Sequence, residues 1–257
     1  MTRVGIAVAL AAALAMSLVG TPAVAAEGAR APDAVRWPFE GVFGKYDRGS
    51  LRRGLEVYLN SCSFCHSLRY VAYRNLTEIG LTEHEAKEIA ARSSVPDGPN
   101  EFGEMFTRQA ILSDRFVPPF PNEQAARFAN GGALPPDLSL MVKARKRGAS
   151  YVFSLMTGYE DFPPEDVELA PGMMYNPYFA GGQIAMPPPL FEGLIANAEG
   201  APATVEEMAH DVTQFLAWAA EPKLEARKSM GLRVMIFLVI LTGLFIAVKR
   251  RVWSSVH

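Results

Sequence analysis

Cys62-Ser63-Phe64-Cys65-His66 gathers both cysteines and one of the four histidines of a 257-residue chain into a single C-x-x-C-H run. Two thiols at this spacing can add to the two vinyl groups of one haem, and the next residue can turn its imidazole onto the iron. Two other uses of paired cysteines fit less well. A thioredoxin-like C-x-x-C wants a βαβ context with a helix opening at the first Cys, whereas the residues before Cys62 read as a helix that ends there. A zinc site needs further Cys or His at ligand spacing, and there is no second pair. The run is therefore read as the attachment site of one covalently bound haem c, through Cys62 and Cys65, with His66 as an axial ligand of the iron.

An iron held by His66 needs a sixth ligand unless it is to bind an exogenous molecule. His257 follows a C-terminal apolar run, His84 sits among Glu83, Glu85 and Lys87, and His210 lies off the apolar face of its helix. These read as surface or remote residues, which leaves the methionines. Met186 has the best local case, because it stands in Gln183-Ile-Ala-Met186-Pro187-Pro188-Pro189-Leu190. Three prolines stiffen the backbone beyond the sulfur, so a weak Fe–S bond would not be lost to loop entropy. Met173 and Met174 follow Pro171-Gly172 in a looser stretch and stay open as alternatives, whereas Met141, Met156 and Met208 read as helix packing residues. His/Met ligation raises a haem potential relative to bis-His ligation.

The elements that must position these residues are mostly helix and loop. Ser50 is expected to cap a helix with Leu51, Leu55, Tyr58 and Leu59 on one face, ending at the haem motif. Thr82 and Glu85 form a capping box for a helix through Arg92, closed by Pro96-Asp97-Gly98-Pro99. Asn122 caps a segment reaching Asn130, and Asp137 starts another that runs to Lys146 and stops at Gly148. Thr204 with Glu207 opens a last helix whose Val205, Met208, Val212, Phe215, Leu216 and Ala219 recur every three or four residues. Gly54 and Phe215 suggest a close crossing of the first and last helices, the alternative being a surface glycine at about 1 kcal/mol.

Both ends of the chain carry targeting patterns. Residues 1–25 hold one positive charge, an apolar run and Ala23-x-Ala25, a secretory signal peptide that leaves Ala26 or Glu27 as the new N-terminus. Residues 230–248 form an apolar stretch of the length needed to cross a bilayer, followed by Lys249-Arg250-Arg251. The expected layout is a haem domain over 26–222, a polar connection over 223–229, a transmembrane anchor over 230–248 and a cytoplasmic tail over 249–257. The body would then face the periplasm from the inner (cytoplasmic) membrane.

Net charge is −2, yet from Gly148 to Glu221 there are 11 acidic residues and no Lys or Arg. That asymmetry gives no reason to expect a nucleic-acid partner. It would steer a basic protein by long-range attraction, with Glu160 to Glu168 as the expected docking segment beside the reading of these acids as ordinary solvated surface.

With these residues in hand, the chain resembles the cytochrome c1 family, the membrane-anchored haem subunits of ubiquinol:cytochrome c reductase, the cytochrome bc complex. The resemblance rests on Trp37-Pro-Phe, Leu51-Arg-Arg-Gly54, Tyr70-Val-Ala-Tyr73-Arg74, Asn130-Gly-Gly-Ala-Leu-Pro135-Pro136-Asp137-Leu138, Tyr151 to Gly158, Tyr175-Asn-Pro-Tyr-Phe179, Met186-Pro-Pro and the C-terminal apolar run. It implies a mainly α, cytochrome c-like haem domain with long loop insertions and one C-terminal transmembrane helix. It further implies Met186 as sixth ligand, Asn130, Ala133, Pro135 and Pro136 as haem walls, Phe179 near the ring, and Arg145 and Tyr151 on a propionate. By its residues alone, Arg145 reads instead as one more exposed base among Lys143, Lys146 and Arg147. The activity implied is transfer of single electrons from the Rieske iron–sulfur protein to a c-type cytochrome, beside cytochrome b in the lipid bilayer. No substrate bond would be made or broken on this chain.

Overall fold

Helix α1 (Arg48–Asn60) runs directly into the C-x-x-C-H turn. The computed structural model describes residues 29–165 and 167–254, so the expected leader at 1–25 lies outside the described residues. The cap of α1 is Asp47 rather than Ser50: its Oδ1 accepts from the Gly49 and Ser50 amides at 2.8 and 3.3 Å. A carboxylate satisfies the free amides of a helix start and complements its dipole, and Ser50 is left inside the first turn, buried.

The last helix of the domain packs against this first helix. Thr204 and Glu207 form the expected capping box, with Glu207 N donating to Thr204 Oγ1 at 3.2 Å and Thr204 N to Glu207 Oε2 at 2.8 Å. The short helices between the two are α2 (Glu83–Ala91), α3 (Glu123–Ala129), α4 (Met141–Ala144) and α5 (Gly148–Thr157), and the capped helix is α6 (Val205–Ala220). Every residue from Asp211 to Ala219 is buried, because α1, α4 and α5 all pack on α6. The sequence pattern marks a single apolar face, and the polar residues Asp211, Thr213 and Gln214 are enclosed with it.

Gly54 is the contact point of α1 with α6. A Cβ there would stand 2.2 Å from the Asp211 carbonyl oxygen and 2.7 Å from Phe215 Cβ, so the expected close crossing is present and the surface alternative is not. Around it Tyr58, Tyr73, Phe116, Phe215 and Trp218 form a chain of ring contacts, from Tyr73 stacked on Phe116 at 4.6 Å to Phe215 against Trp218 at 5.7 Å. Rings in such pairs add about 0.5–1.5 kcal/mol each beyond their burial.

Two expectations about the middle of the chain are corrected. Pro96-Asp97-Gly98-Pro99 does not simply close α2, because Ser94–Asp97 (β1) pairs antiparallel with Phe106–Gln109 (β2). Arg108 fixes this hairpin by bridging Asp97 and Asp114. The helix expected from Asp137 to Lys146 shrinks to α4, and Gly148 opens α5 instead of stopping a helix. The reason lies in Asp137, whose Oδ2 accepts from Ser67 Oγ and the Arg69 amide and whose Oδ1 accepts from the Ser139 amide. Its carboxylate ties two loops together and caps no helix. A second short pair, Met174–Tyr175 (β3) with Gln183–Ile184 (β4), brackets the loop carrying Phe179.

Helix α7 (Leu224–Trp253) has 30 residues and is long and apolar enough to cross a membrane; at 1.5 Å per residue it is about 45 Å long. The stretch expected as a polar connection, 223–229, is helical from Leu224 onward. Its charges dock on the domain: Glu225 pairs with Arg48 at 3.0 Å, Lys223 with Glu78 at 2.9 Å, and Lys228 donates to the Phe39 and Gly44 carbonyls. Tyr46 completes the collar, its hydroxyl donating to the Ala217 and Glu221 carbonyls at 3.1 and 3.2 Å.

Candidate functional site

The C-x-x-C-H residues form a tight turn at the C-terminus of α1, a 3-10 helix over Cys62–Phe64. Cys65 N and His66 N both donate to the Cys62 carbonyl, at 3.2 and 2.8 Å, which wraps the run back on itself and brings both thiols and the imidazole to one short arc. The Tyr58 hydroxyl, from the buried face of α1, donates to the His66 carbonyl at 3.0 Å. The turn is therefore held by the core and not by the loop alone.

His66 Nδ1 lies 2.8 Å from the Pro136 carbonyl oxygen. A carbonyl only accepts, so Nδ1 carries the proton, and in the neutral ring Nε2 keeps its lone pair for a metal. Burial lowers the His66 pKa, against the opposing pull of the Pro136 bond and of Asp137, which favours the neutral form that ligates. A partner on one ring nitrogen is the pattern by which metal-binding histidines keep the other nitrogen oriented. The resemblance assigns Pro136 to a haem wall, and nothing in the sequence announces the bond its carbonyl makes to His66.

Burial pushes the pKa of the Cys62 thiol up to about 12, with Cys65 adding to the effect. Redox C-x-x-C motifs depress the pKa of the attacking thiol, the opposite direction to the shift at Cys62. Among the described residues there is no group of three or more His, Cys, Asp or Glu placed to hold a metal ion. Two thiols next to one oriented imidazole are the groups that covalent haem attachment uses, and the residues present fit that group.

The thioether loop is fastened to this turn. Ser61 Oγ, one residue before Cys62, donates to the Pro189 carbonyl at 2.7 Å, so the chain three residues beyond Met186 is joined to the start of the haem motif. On its other side the Tyr159 hydroxyl donates to the Met186 carbonyl at 3.0 Å. Neither Ser61 nor Tyr159 carries a periodic or motif signal in the sequence; only the fold brings them here. Burial, with Tyr151 nearby, raises the Tyr159 pKa, so the phenol remains a donor.

The remaining expected residues divide into those the fold holds and those it leaves loose. Asn130 ends α3 and its Nδ2 donates to the Ala126 carbonyl at 2.7 Å, while Ala133 N donates to the Asn130 carbonyl. Pro135 is half-buried and Pro136 exposed, continuous with the carbonyl that meets His66. Phe179 is half-buried in the β3–β4 loop, which buried Asn176 organises by donating to Leu155 O and accepting from Tyr178 N. Tyr151 is half-buried against the core on α5. Arg145 is exposed, and no hydrogen bond or ion pair among the described residues involves its guanidinium or the Tyr151 hydroxyl. His84 is an exposed residue beside Glu88. His210 is only half-exposed and stacks on Trp37 with ring centroids 5.1 Å apart, so its face is not the free surface that the pattern indicates. Met208 is fully buried, and Met141 and Met156 pack against the core as expected.

Comparison with known proteins places the chain among haem proteins. The model of the Cytochrome C1 family matches residues 37–256. Cytochrome c1 1, heme protein, mitochondrial, of Arabidopsis thaliana is 50% identical over 242 residues, covering 94% of this chain and 78% of the relative. Cytochrome c1 of Rhodospirillum rubrum is 43% identical over 263 residues, covering 96% of this chain and 97% of the relative. Cytochrome b/c1 of Bradyrhizobium diazoefficiens is 45% identical over 274 residues, and this chain, 98% covered, spans 40% of that longer protein. With the family model spanning the oriented histidine, the thiol pair and the apolar helix alike, the chain belongs to the cytochrome c1 family.

Proposed function

We propose that this chain carries one covalently bound haem c and moves single electrons within ubiquinol:cytochrome c reductase. Cys62 and Cys65 would hold the macrocycle, His66 and Met186 the iron, Asn130, Ala133, Pro135, Pro136 and Phe179 the faces of the ring, and Arg145 and Tyr151 a propionate. When bound, the group supplies a one-electron iron couple whose potential a thioether ligand raises. The observation that carries this reading is the Pro136 carbonyl on His66 Nδ1, because it leaves the other ring nitrogen basic and oriented.

The work of the chain's own residues is positional. Pro136 fixes the tautomer and plane of the imidazole. Ser61 and Tyr159 hold the Met186 loop from both sides, and Pro187, Pro188 and Pro189 limit its entropy. Arg145, exposed at the end of α4, has the reach and charge to neutralise a carboxylate. No general base or nucleophile is needed, since no bond of a substrate changes here.

The Rieske iron–sulfur protein is the electron donor in this reading and a c-type cytochrome the acceptor. Cytochrome b is the neighbour of α7, a role supported by the Cytochrome b/c1 name of one relative. Helix α7 would be a single membrane anchor, with the haem domain periplasmic, the signal peptide at 1–25 removed and the tail at 249–257 cytoplasmic. The test is a redox titration with reduced-minus-oxidised and CO-difference spectra of Met186→Leu beside the parent. A large fall in potential with new CO binding is expected. An unchanged spectrum moves the sixth ligand elsewhere, and a parent that already binds CO freely would mark an open-site haem protein.

A further inference from the structure

Residues 39–44 form a turn whose two sides differ sharply. Trp37 and Phe39 at its base are buried, whereas Val42 and Phe43 at its tip are 62% and 79% exposed. The turn is closed by Glu40 N to the Trp37 carbonyl at 3.1 Å and Lys45 N to the Pro38 carbonyl at 3.0 Å. Its shape depends on glycine: Gly41 has φ +68, and a Cβ at Gly44 would stand 1.9 Å from the Glu40 carbonyl oxygen. The fold thus presents two large apolar side chains on a built projection.

The position of that projection identifies its partner. Lys228 of α7 donates to both the Phe39 and Gly44 carbonyls, one at each end of the turn. Met230, where the apolar run of α7 begins and which is 59% exposed, follows two residues later, a rise of about 3 Å. The tip therefore stands beside the level at which the helix turns from polar to apolar. Lys45 is exposed next to the tip and Arg233 lies just along the helix, cations suited to phosphate headgroups at that level. A stable protein interface buries about 1,200 Å² or more. Two side chains cannot supply that, whereas a bilayer needs only depth from an apolar tip.

We propose that Val42 and Phe43 are a second membrane contact, seated at the boundary between headgroups and acyl chains of a phospholipid bilayer beside α7. The inference rests on the reading of α7 as membrane-spanning. Together with α7 the turn gives the domain two points on the membrane surface, which fixes its rotation about the helix axis as well as its height.

Photo-crosslinking tests this in the assembled complex in its native membrane. p-Benzoylphenylalanine is placed at position 43, or at position 42 if 43 does not tolerate it, and separately at position 238 within the apolar run. The haem absorption spectrum reports folding in each case. A phospholipid mass on the peptide carrying residue 43, at a yield within about threefold of that at 238, is the expected result. Lipid at 238 with a protein adduct or none at 43 overturns the proposal while leaving the spanning helix intact. Lipid at neither position removes the spanning reading and the proposal with it.

Discussion

Replacing Gly54 with alanine separates two accounts of that glycine by the sign of the effect. On an exposed helical surface Gly→Ala would stabilise by about 1 kcal/mol, because alanine loses less backbone entropy in a helix. At the α1–α6 crossing the added methyl would meet Asp211 O at 2.2 Å and Phe215 Cβ at 2.7 Å. Ordinary contact begins near 3.4 Å, so the helices must part by roughly 1.2 Å, and the obstacle is backbone that no rotamer change can move aside. Overpacking of a tight core costs about 1–3 kcal/mol, and a clash with backbone belongs at the upper end. After the gain in propensity, a net loss of about 2 kcal/mol remains, equivalent to a fall in Tm of about 4–8 °C for a domain of this size. The assay is thermal unfolding of the detergent-solubilised holoprotein, followed by far-ultraviolet circular dichroism and haem absorption. A Gly54→Ala protein that melts at or above the parent temperature would refute the crossing.

Three further outcomes can be measured elsewhere in the molecule. Burial would raise the Asp211 carboxyl, but His210, Arg53 and Ser50 hold it below its usual range, with Arg53 Nε at 2.6 Å. Its folded pKa is thus the lower one, so its stabilisation is complete above the unfolded value near 4 and is lost as pH falls through the folded value. Asp211→Asn should cost about 1.5–3 kcal/mol at pH 7 and clearly less at pH 3 in urea titrations; an equal cost at both pH values would show that the charge does not matter. Tyr159→Phe removes the donor to the Met186 carbonyl, a bond of about 1 kcal/mol. Its reduced form should bind CO faster than the parent but far less than Met186→Leu, and parent-like CO kinetics would mean the bond does not hold the loop. Glu165→Gln with Glu168→Gln should lessen the salt dependence of association with a basic c-type cytochrome, read by stopped-flow; an unchanged salt slope assigns the docking face elsewhere. Glu160 is the weaker choice for that test, since Arg30 already lies 3.5 Å from it.

Local signals survived folding where a residue's partners are its own neighbours. The capping boxes at Thr82 and Thr204 and the Asn122 cap are all within three residues of the groups they satisfy, so their types and spacing suffice. The C-x-x-C-H run is legible for the same reason. What could not be read is what depends on distant chain. Asp137 looks like a helix cap until Ser67 and Arg69, nearly seventy residues earlier, take its carboxylate. Asp47 and Ser50 are both good caps, and only the burial of Ser50 against α6 decides between them. Ser61 and Tyr159 act through hydrogen bonds to main-chain carbonyls at 189 and 186, for which any residue sequence would serve as acceptor. The apolar period of α6 shows one face and is silent on the enclosure of the other by α4 and α5.

The collar at the foot of α7 has a mechanical meaning. Glu221 is clamped by Lys143 and Arg227, and Glu225, Lys223 and Lys228 each grip a different part of the domain. Contacts on several sides of the helix foot couple head and stalk, so a tilt of the stalk is passed on to the head. The head does not hang from the helix like a buoy on a chain; its heading is set by the stalk beneath it.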